Sequence, residues 1–177
     1  VGGFGTREDL LAGYASAGGG VIDPAELFAW EVFGTLNWGV MCAGAGRAFM
    51  DGARSVEGAV IARRSSETEF DLMRMLEPDH PAWQQRQAAD TRFDDPPARL
   101  IVAEVRSALD GGIPAGFAQK VAANALGIAQ RELEAGAPTG HCEDPVAALI
   151  AQTLARIAVD QPVYPGYRAF MQSGERA

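Results

Sequence analysis

The chain is poor in the residues on which most catalysis depends. Among its 177 residues are two His, two Cys and a single Lys, Lys120. No apolar run approaches the roughly 20 residues needed to cross a bilayer. No secretory signal pattern opens the chain, and Val1 stands where an initiator Met would be, which points to a fragment, a processed chain or incomplete ordering. His80 is followed by Pro81-Ala82 and His141 by Cys142-Glu143, so neither opens a His-x-Asp loop. There is no Asp-Phe-Gly-like turn and no Walker-type Gly-x-x-x-x-Gly-Lys. Lys120 sits in an Ala-rich helical stretch rather than on a strand beneath a nucleotide loop. The phosphate-clamping Lys, the catalytic Asp and the metal-holding Asn and Asp of phosphoryl transfer are thus all missing.

Other chemistries fare no better. His141-Cys142-Glu143-Asp144 places metal-type ligands side by side in a loop without a second cluster, which is not the spacing a metal site uses. Sequence adjacency does not place a His base on a Cys thiol, so a nucleophilic pair is unsupported. Cys42 lies in an apolar helical stretch and reads as a core thiol. A disulfide framework is not expected, and a cytoplasmic location fits. A net charge of −8 disfavours a phosphate-rich partner, so neither nucleic acid nor membrane is expected.

What is present is helical pattern. Hydrophobic residues make up 47% and charged residues 21%, a globular composition with enough chain to bury a core. Thr6-Arg7-Glu8-Asp9 is a helix start: Thr6 accepts from an orphan amide and Asp9 favours the positive end. That helix should stop before Gly18-Gly19-Gly20. Asp23-Pro24-Ala25-Glu26 opens a second helix running to about Met50. Its Gly34, Gly39, Gly44 and Gly46 each weaken a helix interior by about 1 kcal/mol relative to Ala, which is explained either by close packing or by room for a ligand.

Ser55 to Leu76 reads as one helix, with Ile61, Thr68, Leu72 and Met75 in a stripe. Its charges, Arg63, Arg64, Glu67, Glu69, Asp71 and Arg74, read as a mostly solvated face. Glu67, Glu69 and Asp71 alternate, so on a helix they diverge. Residues 77–95 are rich in Pro and polar residues and end in Asp94-Asp95. They read as a linker, with one short helix over 82–89. Asp95 before Pro96 marks a new helix with a stripe of Ile101, Val102, Val105 and Leu109. Further helices follow over 117–134 and from Asp144-Pro145 onward. The latter is expected to bury Val146, Leu149, Ile150, Thr153, Leu154 and Ile157 on one face. Asn124, on a small-residue face, reads as a buried residue fixing helix register. The tail with Tyr164, Tyr167 and Phe170 is expected to pack on the body. No strand pattern stands out. The expected class is all-α, in two helical modules.

Two stretches carry a resemblance. Residues 30–39, Trp-Glu-Val-Phe-Gly-Thr-Leu-Asn-Trp-Gly, followed by Arg54-Ser55-Val56-Glu57, resemble the last large helices of the C-terminal lobe in aminoglycoside-phosphotransferase-like kinases. The lead-in over 1–10 is similar to the segment that follows the catalytic loops there. This likeness spans residues 1–76. Residues 96–177, with Phe117-Ala118-Gln119-Lys120-Val121-Ala122-Ala123-Asn124-Ala125-Leu126 at their centre, resemble a small helical domain of unknown function often fused after such proteins.

The resemblance implies a non-catalytic C-terminal portion of an aminoglycoside- or choline-kinase-like phosphotransferase, contributing substrate-side helices. The chain itself would carry no cofactor. ATP and Mg²⁺ would belong to a full-length parent, and the partner would be the remaining kinase-like region. Trp30, Glu31, Asn37 and Trp38 are the candidate substrate-binding residues: the Trp rings as apolar or cation-stacking walls, Glu31 as a partner for a cationic or hydroxylated group. Against this, aromatics at helical spacing also serve as plain packing. The alternative is a free-standing helical interaction module without enzymatic activity, forming a homo-oligomer.

Overall fold

The computed structural model describes residues 5–85, 88–136 and 138–174. Among them it is all-helical, with no strand. The chain divides into two compact units, Val1–Gly34 and Thr35–Ala177.

The first unit holds α1 (Arg7–Ser16) and the beginning of α2 (Pro24–Met50). Thr6 and Asp9 form a reciprocal capping box: the Asp9 amide donates to the Thr6 hydroxyl at 3.1 Å, and the Thr6 amide donates to Asp9 Oδ2 at 3.0 Å. The start of α2 is capped by Asp23, which accepts from the Ala25 amide at 3.1 Å. Arg7 pairs with Glu31.

The second unit contains the core. It comprises the remainder of α2, then α3 (Val56–Ala62), α4 (Ser65–Leu76), α5 (Ala82–Gln85), α6 (Ala98–Asp110), α7 (Phe117–Ala135), α8 (Pro145–Asp160) and α9 (Pro165–Gly174). One buried cluster joins Phe49 of α2 and Ala59 of α3 to Ile101 and Val105 of α6 and to Ala125 and Ile128 of α7. A second joins Phe70 of α4 and Trp83 of α5 to Ile150 and Ile157 of α8, with Tyr164, Tyr167 and Phe170 packed against it. Phe70 stands edge-on to Trp83, Tyr167 and Phe170 at centroid distances of 5.8 Å, an arrangement aromatic quadrupoles favour.

Several expectations change here. Ser55 to Leu76 is not one helix: it breaks at Arg63-Arg64 into α3 and α4. The cause is the Arg63 side chain, which is fully buried rather than solvated. Its Nε donates to Asp160 Oδ1 at 2.8 Å, and its Nη1 donates to Glu132 Oε2 at 2.5 Å and to the Pro96 carbonyl at 3.1 Å. Glu67, also read as surface, is buried under a bidentate pair from Arg64. Asp95 does not cap α6. Helix α6 begins two residues after Pro96, and the Ala98 amide donates instead to Glu132 Oε1 at 3.0 Å. The stretch over 77–95 lies inside the second unit and buries Ala82, Trp83, Ala89 and Thr91 there. Its short helix ends at Gln85, and positions 86 and 87 of the expected span lie outside the described residues. Asn124 is exposed, so it fixes no buried register, and Leu149 is exposed on α8. The tail forms α9.

Candidate functional site

A groove of about 660 Å³ lies in the second unit between α2, the α3–α4 corner and the segment at Asp94-Asp95. Two α2 glycines set its depth. A Cβ on Gly39 would stand 2.7 Å from Thr68 Oγ1, and one on Gly46 would stand 3.1 Å from the Asp95 carbonyl. Any side chain there would push α2 away from α4 and from Asp95. These two glycines therefore serve close packing, whereas Gly34 and Gly44 have nothing within 4 Å of where a Cβ would be. Leu36, Val40 and Met50 leave large apolar surfaces exposed along the same wall.

The opposite wall is acidic. Glu69, Asp94 and Asp95 line it. Arg156 Nη1 donates to both Glu69 oxygens, at 2.9 and 3.0 Å, and lies 3.7 Å from Asp94 Oδ1. Asp94 also accepts from the Ser65 hydroxyl at 2.7 Å. Arg47 on the lining is paired with Asp51 at 2.7 Å. One guanidinium thus serves two of three carboxylates, and the exposed Asp95 forms no ion pair with a described residue. Burial pushes the Glu69 carboxyl above its usual range and neighbouring Asp94 adds to this, against the pull of Arg156. The groove is a place where added positive charge would be favoured, with an apolar wall for the body of whatever carries it.

The four residues singled out from sequence lie elsewhere. Trp30 and Glu31 belong to the first unit. Trp30 is 62% exposed and meets Phe33 edge-on at 5.7 Å, and Glu31 is occupied by Arg7. Asn37 and Trp38 belong to the second unit. Asn37 is exposed. Trp38 does stack on a cation, but on the chain's own Arg64, whose guanidinium carbon lies 5.4 Å from the ring centroid. None of the four lines the groove. The sequence signal for the groove was the Asp94-Asp95 pair ahead of two prolines. Nothing local indicated that Glu69 and a glycine-faced helix would meet it.

The divergence expected of Glu67, Glu69 and Asp71 is found: they engage Arg64, Arg156 and Tyr164 respectively. Cys42 is buried, and burial raises its thiol above the ordinary range, the behaviour of an unreactive core cysteine. His80 Nε2 faces Asp144 at 3.2 Å while its Nδ1 accepts from the Ala82 amide. Cys142 donates to the Asp144 carbonyl. Among the described residues, no group of three His, Cys, Asp or Glu is disposed to hold a metal ion, and no helix is long and apolar enough to cross a membrane. No protein-family model, curated protein or solved structure matches the chain.

Proposed function

We propose that the chain is a non-catalytic helical recognition module, the substrate-side portion of an aminoglycoside- or choline-kinase-like phosphotransferase. The observation that supports this reading best is the α2–α4 groove, with Glu69, Asp94 and Asp95 facing Leu36, Val40 and Met50. Such a groove suits an amine-bearing ligand with a hydroxylated or apolar body. ATP, Mg²⁺ and the catalytic Asp would come from the remaining kinase-like region, which would be the partner in a cytoplasmic assembly. Trp30, Glu31, Asn37 and Trp38 would contribute on the substrate side, from their own faces of α2.

The test is calorimetric titration of the chain with an aminoglycoside and with choline at low salt. Saturable binding of either, weakened about threefold or more in Asp95→Asn and abolished by high salt, is the expected result; loss of one exposed charge is worth a fraction to one kcal/mol. Absence of binding, or binding indifferent to Asp95→Asn, would remove the reading.

A second reading has its own support. Val102, Leu109, Phe117, Leu126, Leu133 and Leu149 of α6, α7 and α8 are all exposed, Phe117 by 71% and Leu133 by 72%. Large apolar groups left open in this way suit a homo-oligomeric interaction module without enzymatic activity. Light scattering at micromolar concentration distinguishes the two: a dimer dissociated by Leu133→Glu supports the second reading, and a monomer counts against it.

A further inference from the structure

Away from the groove, a second concavity of about 670 Å³ lies where α4 ends, beside α5 and the end of α9. Arg74 lines it. The guanidinium carbon lies 5.0 Å from the Trp83 ring centroid and 5.7 Å from that of Phe170, and these two rings meet edge-on at 5.5 Å. Trp83 is itself fixed, buried in the core with its indole N–H donating to the Glu77 carbonyl at 2.8 Å. Arg74 Nη1 donates to the Pro78 carbonyl at 3.1 Å, which pins the guanidinium from one side. Nε and Nη2 make no hydrogen bond to any described residue, and no described carboxylate forms an ion pair with Arg74. Arg63, Arg64 and Arg156 each have a carboxylate partner, whereas Arg131, like Arg74, is held by backbone carbonyls, those of Val159 and Asp160.

A guanidinium clamped in this way has already lost the rotamer freedom that ion pairing usually costs. We propose that the Arg74 pocket binds a small monocarboxylic acid with a flat or apolar body. The carboxylate would take the fork left on Arg74, and the body would lie against the partly exposed Phe170 ring. Asp79 on the lining disfavours a doubly charged anion, so a monocarboxylate fits better than phosphate. His80, also on the lining, is engaged with Asp144 and the Ala82 amide. The inference is independent of the groove and of the phosphotransferase reading.

The test is calorimetric titration of the full chain, at constant ionic strength in phosphate-free buffer, with benzoate, N-acetylphenylalanine and benzylamine. A free aromatic acid and the C-terminal residue of a peptide offer the same group, and the first two probes separate them: tighter binding of N-acetylphenylalanine indicates a peptide source, tighter benzoate a free acid. Saturable binding of either, with a dissociation constant on the order of 1 mM, and none of benzylamine, is expected. Arg74→Gln should weaken it about tenfold or more, and Arg74→Lys, which keeps the charge but not the fork, by several-fold. The exposed Asp79→Asn should tighten it about twofold and decides the matter if Arg74→Gln does not fold. Equal binding by Arg74→Gln and the wild type, weaker binding by Asp79→Asn, or no saturation by either acid would overturn the proposal.

Discussion

Replacing Arg63 with methionine keeps most of the side-chain volume and removes a charge from the middle of the second unit. Arg63 Nε and Nη2 lie 2.8 and 2.6 Å from Asp160 Oδ1, and Nη1 reaches Glu132 and the carbonyls of Pro96 and Asp94. Asp160 is as buried as Arg63, and its Oδ2 has no hydrogen-bond partner. Methionine would leave that carboxyl facing apolar atoms and the half-buried Glu132 facing nothing of opposite charge. Losing one partner of a buried pair costs about 3–5 kcal/mol, which for a chain of this size lowers Tm by roughly 10 °C.

The loss should also depend on pH in a direction that a simple packing defect would not produce. Burial pushes the Asp160 carboxyl up to about 7 in spite of Arg63; without Arg63 it rises further. A raised carboxyl means the folded state holds a proton that the unfolded chain has released above about pH 4, so stability falls as pH rises through that window. At pH 5 Asp160 is protonated with or without Arg63, and the substitution costs less. At pH 8 the wild type has an ionised, paired Asp160 and the variant does not, and the cost is larger. Asp160→Asn should show the opposite trend: close to wild type at pH 5, it has no carboxyl to deprotonate and does not share the wild type's loss of stability toward pH 8. Urea unfolding followed by circular dichroism at the two pH values measures this. A loss below about 1 kcal/mol, or one equal at pH 5 and pH 8, would refute the argument.

Two glycines give opposite expectations. Gly44 is exposed on α2 with nothing within 4 Å of its missing Cβ, so Gly44→Ala should stabilise by up to about 1 kcal/mol, read as a higher urea midpoint. Gly140 would place a Cβ 2.5 Å from the Ala88 carbonyl, in a paired stretch where the Asp90 amide donates to the Gly140 carbonyl at 3.0 Å. Gly140→Ala should cost about 1–3 kcal/mol by the same assay. Gly39→Ala should show its propensity gain offset, because the new Cβ would meet Thr68 Oγ1, which is already donating to the Ser65 carbonyl.

Helix starts set by short-range chemistry were readable from the residues themselves. Thr6, Asp23 and Asp144 accept amide hydrogens at the helix starts expected of them. The features that escaped depend on partners far along the chain. The stripe through Ile61, Thr68 and Leu72 keeps its period across Arg63-Arg64, so nothing local marks the break. It is imposed by partners at 94, 96, 132 and 160. The Asp95-Pro96 start signal likewise lost to the Glu132 carboxylate, thirty-four positions beyond Ala98. The groove was legible only in pieces: its acids and its glycines were visible, but their meeting depends on how α2 approaches α4.

Glu132 carries one oxygen to the Arg63 guanidinium and the other to the first amide of α6. The same side chain therefore answers to two unrelated demands, and this limits how the chain can drift. Glutamine at 132 retains an acceptor for one duty but turns an amide toward a cation if it serves the other. Aspartate keeps the charge but is one methylene short of spanning both neighbours. Change at position 132 would thus be tolerated only alongside change at 63, and change at 63 only alongside 160. In a library randomised at all three positions and selected for folding, survivors should come as matched sets: either the ionic trio intact or all three replaced by apolar residues, with the mixed combinations depleted.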